Sequence, residues 1–296
     1  MKSGWRIIDL LSMEGSIGYK YGNLVVRPSD KPEVMVPLAD VAVVLLGVRV
    51  TISGAALMKL SDHDASVLVC DWRGIPCAGA YPWSDHSRIA ARHNAQASLS
   101  QPRRKQAWAA IVKAKILGQA HTVSLCSELA SKRLVEIAKS VRSGDPENCE
   151  AQAARLYWGA ISPFDGFRRE PGSGGDDFNK CLDYAYTVLR GHGIRSVVGA
   201  GLCGPIGLFH HSRSNPFALV DDVIEPFRPA IDYALLTTLE SYDVSQPEVK
   251  QQLVAASTQT FNKEGQSLTN CLDSFCQSLG LFVEDDLDSL PVPVWK

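Results

Sequence analysis

Residue types that bind divalent cations recur in two separated stretches of this chain. The segment HHSRSNPFALVDDVIEPFRP, from His210 to Pro229, sets a histidine pair ahead of Asp221, Asp222 and Glu225. Val223, Ile224 and Phe227 recur there at helical spacing, so an aspartate and Glu225 are predicted one turn apart on a common helix face. An imidazole nitrogen with carboxylate oxygens is a donor set for a divalent cation that accepts mixed ligands. A further ligand must come from elsewhere, and Glu150 in DPENCEAQAARLYW is the candidate, on an alanine-rich helix for which Asp145 is the predicted N-cap and Pro146 the first residue. The same residues also suit an ordinary surface: a glutamate in a first turn opposes the helix dipole, and an acidic pair on a helix faces water. Spacing alone leaves both readings open and does not choose between His210 and His211.

The elements that must position these groups divide into two regions. With 296 residues and 45% hydrophobic content, the chain is long enough for more than one core. From Trp5 to Val50 the runs WRIIDLL, GNLVVR, EVMVPL and VAVVLL are short, β-branched and punctuated by turn residues, which predicts strands. Beyond about residue 86, long stretches at 87–142, 146–160, 177–200, 221–241 and 246–280 read as helices. The expected class is therefore α+β: a β-rich, sandwich-like domain over residues 1–85 followed by a larger all-α domain over 86–296, joined near YPWSDHSR. A glycine-rich loop, EPGSGGDD, is expected to be mobile, and the end of the chain, EDDLDSLPVPVWK, is expected to be a short surface tail.

A net charge of -2 speaks at first against nucleic acid as a ligand, but the charges are segregated. Between Arg88 and Arg142 there are eleven Lys or Arg and two acids, Glu128 and Glu136. Basic helices beside an acidic metal site suit an enzyme that handles phosphodiesters, since cations hold the backbone while carboxylates hold the catalytic ion. Arg103, Arg104, Lys105, Lys113, Arg168 and Arg169 are the candidate phosphate contacts; solvated helix faces are the competing reading.

The eight cysteines are scattered without a C-x-x-C pair, which disfavours zinc-ribbon and disulfide frameworks. No apolar run of transmembrane length and no signal-like start is present, so a reducing cytoplasm is the expected location. GAGLCG, from Gly199 to Gly204, fits G-x-G-x-x-G, yet PIGLFHHSRSNP follows where that motif must open a helix. His86, His93, His121 and His192 lack partners at ligand spacing, and the Asp62, His63, Asp64 cluster in SDHDAS reads as a surface turn rather than a ligand set. Tyr157 shares the helix face of Glu150, where core packing or orientation of the site outweighs a nucleophilic role.

Five blocks in one order resemble the CRISPR-associated spacer-integration endonuclease, the adaptation integrase, and most closely its type II (II-C-like) forms. They are Asp40 to Pro82 with a strand, short helix and strand; RRKQAWAAIVKAKILGQA from Arg103 to Ala120; ENCEAQAARLYW; the helix carrying Asn179, Leu182, Tyr184, Tyr186 and Leu189; and the opening segment with Asn215, Phe217 and DDVIEPFRP. The resemblance implies that the metal-binding catalytic residues are Glu150 (not Glu147), His210 and Glu225, with Asp222 as an additional acid and His211 as the alternative histidine under a shift of one residue. It implies Mg2+ or Mn2+, and attack by the 3'-hydroxyl of a captured double-stranded DNA fragment on the CRISPR repeat, with no covalent protein intermediate. It further implies a homodimer built through the β-rich domains, a heterohexamer with a small companion adaptation protein, and room for the effector nuclease as an added partner. A metal-dependent nuclease for branched DNA in repair and a non-catalytic DNA-binding scaffold are the rival classes.

Overall fold

A computed structural model describes residues 6–72, 74, 76–83, 86–162, 164, 166–172 and 175–296. The chain forms two compact units, Met1–Asp85 and His86–Lys296; Ser84 and Asp85 of the junction lie outside the described residues. No described helix is long and apolar enough to cross a membrane.

The first unit is β-rich. Strands β1 (Arg6–Leu10), β5 (Val41–Leu46), β7 (Ser66–Cys70) and β8 (Pro76–Ala80) form one sheet in that order, and β4 (Val34–Pro37), β3 (Asn23–Pro28), β2 (Gly15–Lys20) and β6 (Val50–Ile52) form a second. β5 pairs in parallel with β1 and β7 on either side, and all six of its residues are buried, as expected of a central parallel strand. Leu10, Val44 and Val67 from the first sheet share one core with Ile17, Leu24 and Val26 from the second, and Ala56 and Leu60 of helix α1 (Gly54–Asp62) join them. That arrangement is the expected sandwich.

β2 escapes the sequence pattern because its glycines look like turn residues. Gly18 instead leaves room for a neighbouring strand's side chain, since a Cβ there would lie 2.8 Å from the Arg27 guanidinium. The turn proper is Tyr21-Gly22, both with positive φ, which closes the β2–β3 hairpin.

The second unit contains nine described helices. The predicted stretch 87–142 is three of them: α2 (Ile89–Ser98), α3 (Gln101–Val123) and α4 (Glu128–Ser140). Pro102 in the first turn of α3 ends the preceding helix, and a turn over 124–126 separates α3 from α4. α5 (Cys149–Ala160) and α6 (Asp177–Gly199) follow. Asp176 caps α6, its side chain accepting from Asn179 N at 2.9 Å; Ser173 and Gly174 of the glycine-rich loop lie outside the described residues.

The predicted helix 221–241 is likewise three pieces: α7 (Ala218–Val223), a 3-10 turn (Glu225–Phe227) and α8 (Arg228–Thr238). Pro226 and Pro229, which lack N–H donors, break it there. α9 (Pro247–Ala256) and α10 (Leu268–Val283) are separated by a loop closed by a Thr260–Ser267 bridge.

The C-terminal segment differs from the expected surface tail. Leu290 and Trp295 are buried, and the Trp295 ring packs against His121, Tyr233 and Phe261. The acids of the segment dock with it, Glu284 pairing with Arg88 and Arg92 and Asp285 with Arg103. Gly199 to Gly204 begins at the end of α6, not after a strand, and no helix opens until Ala218, so the dinucleotide-motif geometry does not form.

Candidate metal centre

Glu150 enters from the first turn of α5. The local fold differs from the predicted cap: Asn148, in the left-handed region, precedes the helix, and the Asp145 side chain reaches in to accept from Cys149 N at 2.8 Å and Glu150 N at 3.0 Å. Two of the orphan amides of the helix start are thereby satisfied, and the Glu150 backbone is fixed.

Glu225 sits on the 3-10 turn between α7 and α8 and is almost wholly buried, its side chain 5% exposed. Arg228, one turn on, approaches its Oε1 at 3.1 Å. The Lys115 ammonium, delivered from the middle of α3, donates to Glu150 Oε1 at 2.7 Å and stands 2.7 Å from Glu225 Oε2. The latter contact is a close ion pair to a buried carboxylate oxygen. Burial pushes the Glu225 carboxyl upward, but Arg228, Lys115 and His210 outweigh it and hold the group below the ordinary value. Burial likewise works against the Lys115 charge, and Glu225 and Glu150 prevail and raise it.

The histidine is positioned by an acid. His210 Nδ1 lies 2.7 Å from Asp222 Oδ1, and the Asp222 carboxylate also accepts the backbone N–H groups of Leu208 (2.6 Å), Phe209 (3.1 Å) and His210 (3.2 Å). Gly207 permits this wrapping, since a Cβ there would meet Asp222 Oδ2 at 2.9 Å. The loop before the histidine is pinned from α2 and α3: Gln96 donates to Cys203 O and Ile206 O and accepts from Cys203 N, and Arg104 donates to Gly207 O. Phe209 stacks flat on buried Trp108 with centroids 4.2 Å apart, and the His210 ring stands edge-on to both. The hydrogen bond to Asp222 raises the His210 pKa above its ordinary value, burial opposes it, and the charges of Asp222 and Glu225 add to the rise. His211 is exposed.

Asp221 turns away from this cluster, accepting from Arg190 Nε at 2.9 Å and Asn215 Nδ2 at 2.6 Å, which fastens the start of α7 to α6. Buried Asp232 of α8 accepts from Tyr157 Oη (2.7 Å) and Tyr186 Oη (2.6 Å), tying α5, which carries Glu150, and α6 to the helix that follows the Glu225 turn. The face shared by Tyr157 and Glu150 is thus explained by positioning.

Among the described residues, no group of three or more His, Cys, Asp or Glu is gathered closely enough to hold a metal ion as it stands. The donor chemistry nonetheless fits one. Glu150 and Glu225 already share a cation, and Asp222 takes Nδ1 of His210, which leaves Nε2 as the nitrogen on offer to a metal.

The cationic candidates sort by what their heads touch. Arg103 donates to Phe282 O and Leu287 O, pairs with Asp285 and lies over the Phe282 ring. Arg104 donates to Gln96 O, Leu99 O and Gly207 O. Arg169 is held by Asn179 and Asp183. Lys105, Lys113 and Arg168 are exposed. Lys115, Arg228 and Asp232 are the site residues that sequence reasoning missed. Arg228 had a readable signal, three residues after Glu225, and Asp232 another, as a lone acid in an apolar helix; Lys115 had none among eleven cations.

The model of the family "CRISPR associated protein Cas1" matches residues 10–265. The chain is 36% identical over 258 residues to the CRISPR-associated endonuclease Cas1 of Neisseria meningitidis serogroup C (strain 8013), covering 84% of this chain and 82% of that relative. Among solved structures, a casposase bound to integration product superposes with TM-score 0.73 at 19% identity, over 97% of this chain and 93% of that one. A Cas6-RT-Cas1–Cas2 complex superposes with TM-score 0.75 at 19% identity, over 100% of this chain and 36% of that one. The two structures share this fold.

Proposed function

The chain belongs to the Cas1 family of CRISPR-associated proteins, and on that premise we propose that it is a divalent-metal-dependent DNA endonuclease and integrase of CRISPR adaptation, inserting captured DNA as new spacers. The observation that carries the reading is the meeting of Glu150 and Glu225, from separate elements, on one positive charge, with His210 oriented by Asp222 on the segment just before Glu225.

Glu150, Glu225 and His210 Nε2 would hold Mg2+ or Mn2+. Such an ion supplies charge stabilisation for in-line transfer at a phosphate. The protein's own part is to fix these ligands. Asp222 sets the imidazole tautomer and ring plane, Trp108 and Phe209 wall the ring in, and the Tyr157–Asp232–Tyr186 triad holds the helices in place. The nucleophile in this reading is a DNA 3'-hydroxyl, which becomes bonded to phosphorus as the repeat strand's own 3'-oxygen leaves.

Lys105, Lys113 and Arg168 are the proposed backbone contacts, because the heads of Arg103, Arg104 and Arg169 are occupied by the protein itself. Partners follow from the family: a second copy of the chain, the small companion adaptation protein in a heterohexamer, and double-stranded DNA. The similar fold of a Cas1–Cas2 complex and of a casposase bound to integration product supports that part of the reading. Eight free cysteines suit a reducing cytoplasm.

The test is to offer a labelled duplex with either 3'-hydroxyl or 3'-deoxy ends to repeat-containing DNA, with Mn2+ and the companion protein. Joining with the hydroxyl and none with the deoxy ends is the expected result. Cleavage of branched DNA without joining would instead make the protein a repair-type nuclease.

A further inference from the structure

Lys115 does something at this site that a ligand does not. Its side chain, 12% exposed, comes from α3 and touches carboxylates on two other elements, at 2.7 Å from Glu150 Oε1 and 2.7 Å from Glu225 Oε2. Two carboxylates that close to a common point repel unless a cation stands between them. The ammonium meets that need with one charge. Arg228 approaches the other oxygen, Oε1, from the opposite end of the carboxylate and would remain there if the ammonium left.

A divalent cation makes the same demand on the same oxygens, but at about 2.1 Å for Mg2+, and like charges exclude one another from one gap. Resting on the metal-centre reading above, we propose that Lys115 is a tethered competitor for the metal position: its ammonium holds Glu150 and Glu225 together, and a divalent cation enters by displacing it from between them. Two consequences follow. The ligand pair is assembled before metal arrives, at the expense of affinity. Metal loading also releases a lysine at the edge of the site, where it becomes available to an incoming phosphate.

The experiment titrates Mn2+ by calorimetry and thermal shift into full-length, chelator-treated wild type, Lys115→Met, Lys115→Gln, Glu150→Gln and Glu225→Gln. The proposal expects the two Lys115 variants to be less heat-stable in chelator and to bind Mn2+ at least about tenfold more tightly, with a larger Mn2+-induced rise in Tm. Equal or weaker Mn2+ binding in a folded Lys115 variant overturns it. If those variants do not fold, acetylation of Lys115 in wild type, read by mass spectrometry, decides the matter. Labelling several-fold faster with Mn2+ supports displacement, and unchanged or slower labelling overturns it. The glutamate variants separate two kinds of failure. If they keep wild-type Mn2+ affinity, the metal-centre reading falls and takes this proposal with it; if they lose Mn2+ while the Lys115 variants gain nothing, only the proposal falls.

Discussion

Nδ1 of His210 lies 2.7 Å from Oδ1 of Asp222, a carboxylate with no solvent exposure that also gathers three consecutive backbone N–H groups. One buried acid thus sets the path of the loop and the orientation of the imidazole it carries. A ring held by Nδ1 presents Nε2 in a fixed direction, which is how a ligating histidine is prepared before its metal arrives.

Asp222→Asn keeps the shape but removes the charge that holds His210. Metal affinity or strand-transfer rate should fall by about 10- to 100-fold, with DNA affinity unchanged in a gel-shift titration. The same variant should lose about 1–3 kcal/mol of stability because three amides lose an ionised acceptor. Unaltered transfer in this variant would remove Asp222 from the site.

Asp232 gives a pH signature. Burial raises its carboxyl from the ordinary 3.8 to about 6, against the lowering by the Tyr186 and Tyr157 hydrogen bonds. Between those values the folded protein keeps a proton that the unfolded chain has released. This contribution is therefore fully present below pH 3.8 and is lost as pH rises through about 6. Relative to Asp232→Asn, wild type should lose on the order of 3 kcal/mol across that window, measured by denaturant unfolding at pH steps. A pH-independent difference between the two would contradict the buried, proton-holding role.

Arg104 and Arg103 should behave as structural residues. Arg104 donates to three carbonyls, one of them Gly207 O at the base of the histidine loop, and Arg103 fastens the end of α10. Arg104→Ala should lower Tm by several degrees while leaving the salt dependence of DNA binding as it was.

Lys113→Glu should do the reverse, sparing Tm and reducing the slope of log affinity against log salt by about one unit. If Arg104→Ala reduced that slope and Lys113→Glu did not, the assignment of DNA contacts would be inverted.

The β-rich then helical order was legible in sequence because periodicity changes from two to nearly four near residue 86, and burial follows periodicity. Helix breaks were harder. Pro102, Pro226 and Pro229 are visible as residues, yet the apolar pattern runs on across them, so 87–142 and 221–241 read as continuous. The docked end of the chain was obscured for a related reason: buried Leu290 and Trp295 stand amid residues that look solvated, and the carbonyl of Leu287 takes up Arg103 from α3. Of the candidate centre, the acids and histidines could be proposed from type and spacing, since they cluster in two short stretches. Lys115 could not, because its role depends on α3 crossing between α5 and the 3-10 turn, which is a tertiary fact with no local signal.

The metal centre is tested most directly by Mn2+-dependent strand transfer with wild type, Glu150→Gln, Glu225→Gln, His210→Ala and His211→Ala, with DNA binding measured on the same preparations. The two glutamate variants and His210→Ala are expected to lose transfer by at least about 10³-fold while binding DNA as wild type does, and His211→Ala to keep both. Loss in His211→Ala with transfer retained in His210→Ala, or undiminished transfer without Glu150 and Glu225, would contradict the proposed centre.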